Sequence, residues 1–121
     1  TPIAYSLSWP DRVSAGVDIL DLVKTARLDF ESPDLDAFPC LRLAYEAIDV
    51  PGGMCAFSAA NEVAVDAFLS EKIRFTDIDQ TIAATLNFVK LAEPTTLAEV
   101  QALDRAAREA AGAFISDVSC R

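Results

Sequence analysis

Two short acidic patterns are the first places in this chain where chemistry could occur. Asp34-Leu35-Asp36 and Asp77-Ile78-Asp79 each set two carboxylates one residue apart. That spacing chelates a divalent cation when a third oxygen ligand converges. Both patterns stand where a helix is expected to begin, and the helix dipole favours negative charge there without any ligand. Capping is therefore the simpler reading. Neither pattern has the further oxygens in fixed register, or the glycine, that an EF-hand loop requires. Glu62 and Asp66 share a helical face at i, i+4. Acid–base work would need one of their pKa values pushed away from the other, and a solvated face accounts for the pair equally simply.

Absent residue types narrow the chemistry further. The chain has no histidine, which removes Ser–His and Cys–His nucleophile arrangements and the commonest metal ligand. Its only glycines are Gly16, Gly52, Gly53 and Gly112, so neither a G-x-G-x-x-G turn nor a phosphate-binding P-loop can form. Cys40, Cys55 and Cys120 are sparse, odd in number and without C-x-x-C spacing. A disulfide framework and a zinc site are both disfavoured, and a reducing, cytoplasmic setting fits best. Cys40 and Cys55 lie in apolar surroundings and are expected to be small core residues. The net charge of −9, from 19 acidic and 10 basic residues, repels phosphate backbones, and the basic residues form no patch. Nucleic acid is thus a poor partner, and the acidity serves solubility. No apolar run approaches the roughly 18–20 residues of a membrane span, and no signal peptide opens the chain.

One polar residue stands out of place. In SAANEVAVDAFL, Ser58, Glu62 and Asp66 form a polar stripe at i, i+4, i+8, opposite Phe57, Ala64 and Phe68. Asn61 falls within the apolar stripe. An unpaired amide in a dry core costs roughly 1–3 kcal/mol, so Asn61 is expected to tie this helix to a neighbouring segment. Contact with a substrate or cofactor is the competing reading.

The elements that would position these residues are mainly α. Residues 1–36 read as an irregular linker arm. Ile3, Ala4 and Leu7 suit a short helix stopped by Pro10. GVDILDLVK is too short to assign to helix or strand, and LDFESPDL reads as extended. Residues 37–121 read as an up-and-down four-helix bundle joined by short connections. The first helix starts near Asp36 as N-cap, carries Phe38, Leu41, Tyr45 and Ile48 on one stripe, and stops at Pro51-Gly52-Gly53. The second covers roughly residues 54–70. The third follows Thr76, whose hydroxyl is a candidate cap, with Ile78, Ile82, Leu86 (or Thr85) and Val89 inward. The fourth opens on Thr96-Leu97-Ala98-Glu99, a capping box, and sets Val100, Leu103, Ala107, Ala110, Phe114 and Val118 on one face. Gly112 weakens this helix by about 1 kcal/mol relative to Ala. The arm carries Tyr5, Trp9 and Phe30 with little regular structure to bury them. It is expected to pack either on the helices or on a partner surface missing from this chain, and such an arm also allows a homo-oligomer.

TPIAYSLSWPDRV, SAGVDILDLVK, LDFESPDLDAFPCLRLAYEAI, AANEVAVDAFL and IRFTDID, in that order, resemble the 1-deoxy-D-xylulose 5-phosphate reductoisomerase family. The likeness covers about residues 1–90 phrase by phrase and continues more loosely through the last helix. One departure is Phe57-Ser58, where the family usually has Leu-Asn. The resemblance implies a parent enzyme that converts 1-deoxy-D-xylulose 5-phosphate to 2-C-methyl-D-erythritol 4-phosphate with NADPH and a divalent metal (Mg or Mn), in non-mevalonate isoprenoid biosynthesis. It further implies that only the linker and the C-terminal bundle are present. The nucleotide-binding segment and the S-A-T-M-M-N-K-type segment with its metal-binding acid have no counterpart here. No catalytic, cofactor-binding or metal-binding residue is carried over, and the chain is expected to be structural and inactive alone. Its partners would be the N-terminal and central domains of the parent. The start at Thr1-Pro2, with Met54 as the only methionine, reads as a cut from something larger. The alternative is a free-standing acidic helical interaction module.

Overall fold

Six helices and no strand form among residues 2–18 and 20–119, the residues described by the computed structural model. They are α1 (Pro2–Ser8), α2 (Leu22–Thr25), α3 (Pro39–Ile48), α4 (Gly53–Leu69), α5 (Asp77–Phe88) and α6 (Leu97–Ser119). The chain divides into two units, Thr1–Ser32 and Pro33–Arg121. Among the described residues no helix is long and apolar enough to cross a membrane.

The first unit holds α1 and α2 and buries none of its described residues. After α1 a turn closes through the Asp11 N–H to the Ser8 carbonyl at 2.9 Å, with a cis Trp9–Pro10 peptide within it. Tyr5 meets Trp9 edge-on at 5.7 Å, and the Arg12 guanidinium lies 4.9 Å from the Tyr5 ring centre. Of the segment that sequence left open between helix and strand, residues 16–24, the end from Leu22 onward enters α2. Asp21 caps it, its carboxylate accepting from the Val23 and Lys24 N–H groups at 3.0 and 3.1 Å. Residues 27–34 form no helix or strand.

The second unit is the four-helix bundle, α3 to α6, with α4 at its centre. α4 packs against α3, α5 and α6. It does so through small residues: Gly53, Ala56, Ala59, Ala60, Ala64 and Ala67 are all buried. Facing them are Ala107, Ala111 and Ile115 of α6 and Ile78 and Ile82 of α5. On α6 the buried line runs through Ala107, Ala111 and Ile115, not through the expected Ala110 and Phe114. The smaller side chains let α6 lie closer to α4, and the Phe114 ring is turned to the edge.

α3 shows the same preference. Its expected inward stripe faces outward: Phe38, Tyr45 and Ile48 are 67%, 61% and 62% exposed. Leu43 and Ala47 are buried instead, with Cys40 packed against the core beside them. This helix is apolar on two faces, and the bundle takes the one that carries the smaller side chains. Asp36 is not its N-cap. Phe38 holds that position without a side-chain bond, and Pro39 starts the helix.

Side chains cap the starts of α2 and α6, whereas α3, α4 and α5 have no side-chain bond from the N-cap residue. The capping box at α6 is present: the Glu99 N–H donates to Thr96 Oγ1 at 3.2 Å and the Thr96 N–H to Glu99 Oε2 at 3.2 Å. Thr95 adds its own N–H and hydroxyl to Glu99 Oε2 at 2.7 and 2.9 Å. These donors hold the Glu99 carboxyl below its ordinary pKa, the Thr95 N–H contributing most. Thr76 makes no side-chain cap at α5. Along that helix Thr81 and Thr85 are buried, and their hydroxyls donate to the carbonyls of Asp77 and Thr81 at 2.7 and 2.9 Å. The i−4 bond satisfies each hydroxyl within its own helix, so it can sit in the core.

Two glycines have opposite roles. Gly52 has φ +74°, and a Cβ there would lie 2.5 Å from the Ala92 carbonyl oxygen and 2.8 Å from Leu103 Cδ2. Gly112 lies within α6 with open space around it. Gly52→Ala is expected to cost about 2–3 kcal/mol through backbone strain and overlap. Gly112→Ala is expected to stabilise by about 1 kcal/mol. Urea denaturation measures both, and a neutral Gly52→Ala would show that the α3–α4 turn can shift away from residue 92.

Candidate functional site

The residues singled out in sequence do not gather at one place. In each D-x-D pattern the two aspartates separate. Asp34 turns to its own backbone, and Oδ1 accepts from the Asp36 and Ala37 N–H groups at 3.1 and 2.9 Å. Asp77 does the same more firmly: Oδ2 accepts from the Arg74 N–H at 2.8 Å and from Arg74 Nε at 3.2 Å, and Oδ1 from Nη2 at 2.9 Å. Asp77 is 2% exposed, whereas the Arg74 side chain reaches into solvent. The Arg74 guanidinium and N–H hold the Asp77 carboxyl below the usual carboxylate range. This lock replaces the expected Thr76 cap.

Asp36 and Asp79, the second member of each pattern, instead line one cavity of about 420 Å³. Its walls come from the turn before α3, one side of α4 and the first turn of α5. Phe38, Pro39, Val65, Phe75 and Ile78 make it largely apolar, and Cys40 and Asn61 also line it. Phe75 is steadied by an edge-on contact with Phe68 at 5.7 Å, yet stays 71% exposed. Burial, and then the Asp79 charge, push the Cys40 thiol pKa up, so the thiol stays protonated and poorly nucleophilic.

Asn61 does not tie α4 to a neighbour. It is half-buried, faces this cavity, and its amide makes no hydrogen bond among the described residues. The starts of α3 and α5 line the same cavity, but no group of theirs bonds the amide. The amide keeps its donors and its acceptor for whatever enters the cavity.

Glu62 lies on an exposed face, as expected, and there meets a cation. Its Oε2 accepts from Arg108 Nη2 at 2.6 Å, and Arg108 Nε donates to Asp104 at 2.9 Å. The Asp104 and Glu62 carboxylates hold the Arg108 guanidinium above its ordinary value. With these side chains partly in solvent, the clasp sets the register of α6 on α4 more than it adds stability. Asp66 is exposed. Cys55 and Cys40 are free thiols, both half-buried.

Among the described residues no three His, Cys, Asp or Glu side chains lie close enough to hold a metal ion. The cavity combines an apolar floor, one unpaired amide and two carboxylates. Such a lining suits an apolar group carrying a positive charge, and it repels phosphates. Phe75 was the residue that sequence reading missed. It stands outside every helical stripe, and its signal was a large aromatic in a short polar connection.

Comparison with known proteins adds the context. Residues 1–110 match the family model described as the DXP reductoisomerase C-terminal domain. The chain is 50% identical over 116 residues to the 1-deoxy-D-xylulose 5-phosphate reductoisomerase of Stutzerimonas stutzeri, covering 95% of this chain and 29% of that protein. It is 53% identical over 116 residues to the reductoisomerase of Burkholderia mallei, with the same coverage. Among solved structures, the Zymomonas mobilis reductoisomerase in complex with NADPH is 41% identical, with a TM-score of 0.85, covering 95% of this chain and 31% of that one. A DOX-P reductoisomerase in complex with NADPH, fosmidomycin and magnesium gives 38% and 0.83, covering 96% and 31%. The chain therefore spans about three tenths of the length of the relatives it matches.

The Arg74–Asp77 lock makes stability depend on acid. A carboxyl with a lowered native pKa contributes fully above its unfolded value of about 4 and loses that contribution as pH falls through the native value. Asp77→Asn is expected to lower Tm by several degrees at pH 7, and the gap to the unaltered protein is expected to shrink as the pH falls into the acid range and Asp77 protonates. Thermal melts across this range test it. A gap that is constant with pH would show that the charge of Asp77 carries none of the effect.

Proposed function

The chain belongs to the DXP reductoisomerase C-terminal domain family, and from that premise we propose that it is the C-terminal portion of an NADPH- and metal-dependent reductoisomerase. The parent converts 1-deoxy-D-xylulose 5-phosphate to 2-C-methyl-D-erythritol 4-phosphate in non-mevalonate isoprenoid biosynthesis, in the cytoplasm. The observation that carries this reading is a match over 95% of the chain at half identity to proteins that bear this name. Within the parent, residues 1–36 are a linker arm and residues 37–121 a helical bundle. The arm's exposed Trp9 and Phe30 belong against the preceding domains.

The part this chain plays is structural. This reading gives the chain no NADPH or magnesium site of its own: Asp36 and Asp79 make the cavity they line unfavourable for phosphates, and among the described residues no group of three acidic, Cys or His side chains stands together. No step of the reaction is assigned to a residue of this chain. What the bundle offers is a rigid body that supports the domains where hydride and metal chemistry take place.

The test is an activity comparison. The longer polypeptide that contains this sequence is expected to oxidise NADPH when given 1-deoxy-D-xylulose 5-phosphate and magnesium. The 121-residue chain is expected to show no turnover under the same conditions. Turnover by the chain alone would overturn the structural role. A longer polypeptide without activity would overturn the assignment of the parent.

A further inference from the structure

We propose that the cavity between Phe38, Asn61, Phe75 and Asp79 is a docking socket for the preceding part of the same longer polypeptide. It takes one apolar side chain that is followed or preceded by a basic residue. The proposal rests on the reading above and names the surface through which the bundle is held.

Several features of the bundle converge on this occupant. The cavity of about 420 Å³ is walled mainly by apolar groups of the bundle unit. Two aromatic rings, Phe38 and Phe75, stand at its walls with about two thirds or more of their surface in water. Burying such rings is favourable by roughly 25 cal/mol per Å² of apolar surface, and aromatic anchors in pockets carry most of the energy of protein contacts. The continuing stripe of α3, through Leu41, Tyr45 and Ile48, is exposed as well. It extends the apolar surface well beyond the cavity, as a protein partner requires and a small ligand does not.

The polar groups select among partners. Asn61 presents an amide without a hydrogen-bond partner, and a peptide group offers both the donor and the acceptor that it needs. Asp36 and Asp79 line the same cavity on a chain of net charge −9. Charge complementarity therefore calls for Lys or Arg on the occupant and disfavours nucleotides and sugar phosphates. A second copy that met this cavity with the same face would bring its own Asp36 and Asp79 and be repelled. The relatives supply the remaining term: about seven tenths of their length lies outside the region this chain matches, so a large covalently linked partner is at hand. A tethered partner binds at high effective concentration, so a shallow socket suffices.

The experiment replaces Phe75 with the photo-crosslinking residue p-benzoylphenylalanine in the longer polypeptide, and maps the crosslinked peptides by mass spectrometry. The expected product has the mass of a single polypeptide, with residue 75 joined to a peptide outside these 121 residues that carries an apolar residue next to Lys or Arg. The same probe at Phe38 keeps the test decisive if the Phe75 variant folds poorly. Crosslinks confined to residues 1–121, products of doubled mass, or solvent quenching at both positions would each overturn the proposal. Reductoisomerase activity of the unaltered polypeptide is measured in parallel. An active enzyme without the crosslink sinks the socket alone, and an inactive polypeptide sinks the parent assignment.

Discussion

The bundle depends on how closely α4 lets its neighbours approach. Its buried face is built from Gly53, Ala56, Ala59, Ala60, Ala64 and Ala67, and the residues opposite include Ala107 and Ala111. Each atom pair contributes only about 0.1–0.2 kcal/mol, but close approach multiplies the pairs along the whole helix. Backbone as well as side chain then makes contact, and Gly52 shows the limit: the carbonyl of Ala92 stands where its Cβ would be. Thr81 and Thr85 fit the same narrow space because their hydroxyls are satisfied within α5.

A core of small residues has a consequence for the large ones. Phe57 and Phe68 can only flank it, and Phe38, Tyr45, Ile48 and Phe75 remain at the surface. The exposed apolar surface follows from the packing choice: the face of α3 that closes on the bundle is the one bearing Cys40, Leu43 and Ala47. The opposite face keeps its bulky residues and has no partner in the bundle. The same geometry divides each D-x-D pattern. Asp34 and Asp77 close their own turns, and Asp36 and Asp79 are thereby left to line the cavity between those turns.

Features that depend on neighbouring residues were legible in the sequence. The Thr96–Glu99 capping box, the stop at Pro51-Gly52-Gly53 and the polar stripe of Ser58, Glu62 and Asp66 are local, and they stand where residue type and spacing put them. Choices between two apolar faces were not legible. Periodicity shows that α3 and α6 are amphipathic, but the depth of α4's small face decides which stripe is buried. Hence Leu43 and Ala47 replace Leu41 and Tyr45 in the core, and Ala111 and Ile115 replace Ala110 and Phe114. The candidate site was the least legible part. Asn61 was conspicuous as a polar residue in an apolar stripe, yet its surroundings are set by residues from three separate segments. The Arg74–Asp77 lock was hidden for a related reason: Thr76 and Asp77 are both good capping types, and the guanidinium three residues before Asp77 decides between them.

Electrostatics explains why such a surface can remain specific. An apolar face without charge would attract any apolar partner, including a second copy. Here acidic residues outnumber basic ones nearly two to one, and the carboxylates of Asp36 and Asp79 stand within the apolar cavity itself. Any partner must therefore offset the cost of burying those charges, and only a partner with its own cation does so. The Glu62–Arg108–Asp104 clasp shows the same pairing at the bundle's surface, where one guanidinium bridges carboxylates on two helices. On the open face the carboxylates are present and the cation is not part of this chain's cavity lining, so the chain presents one half of a charge-matched contact.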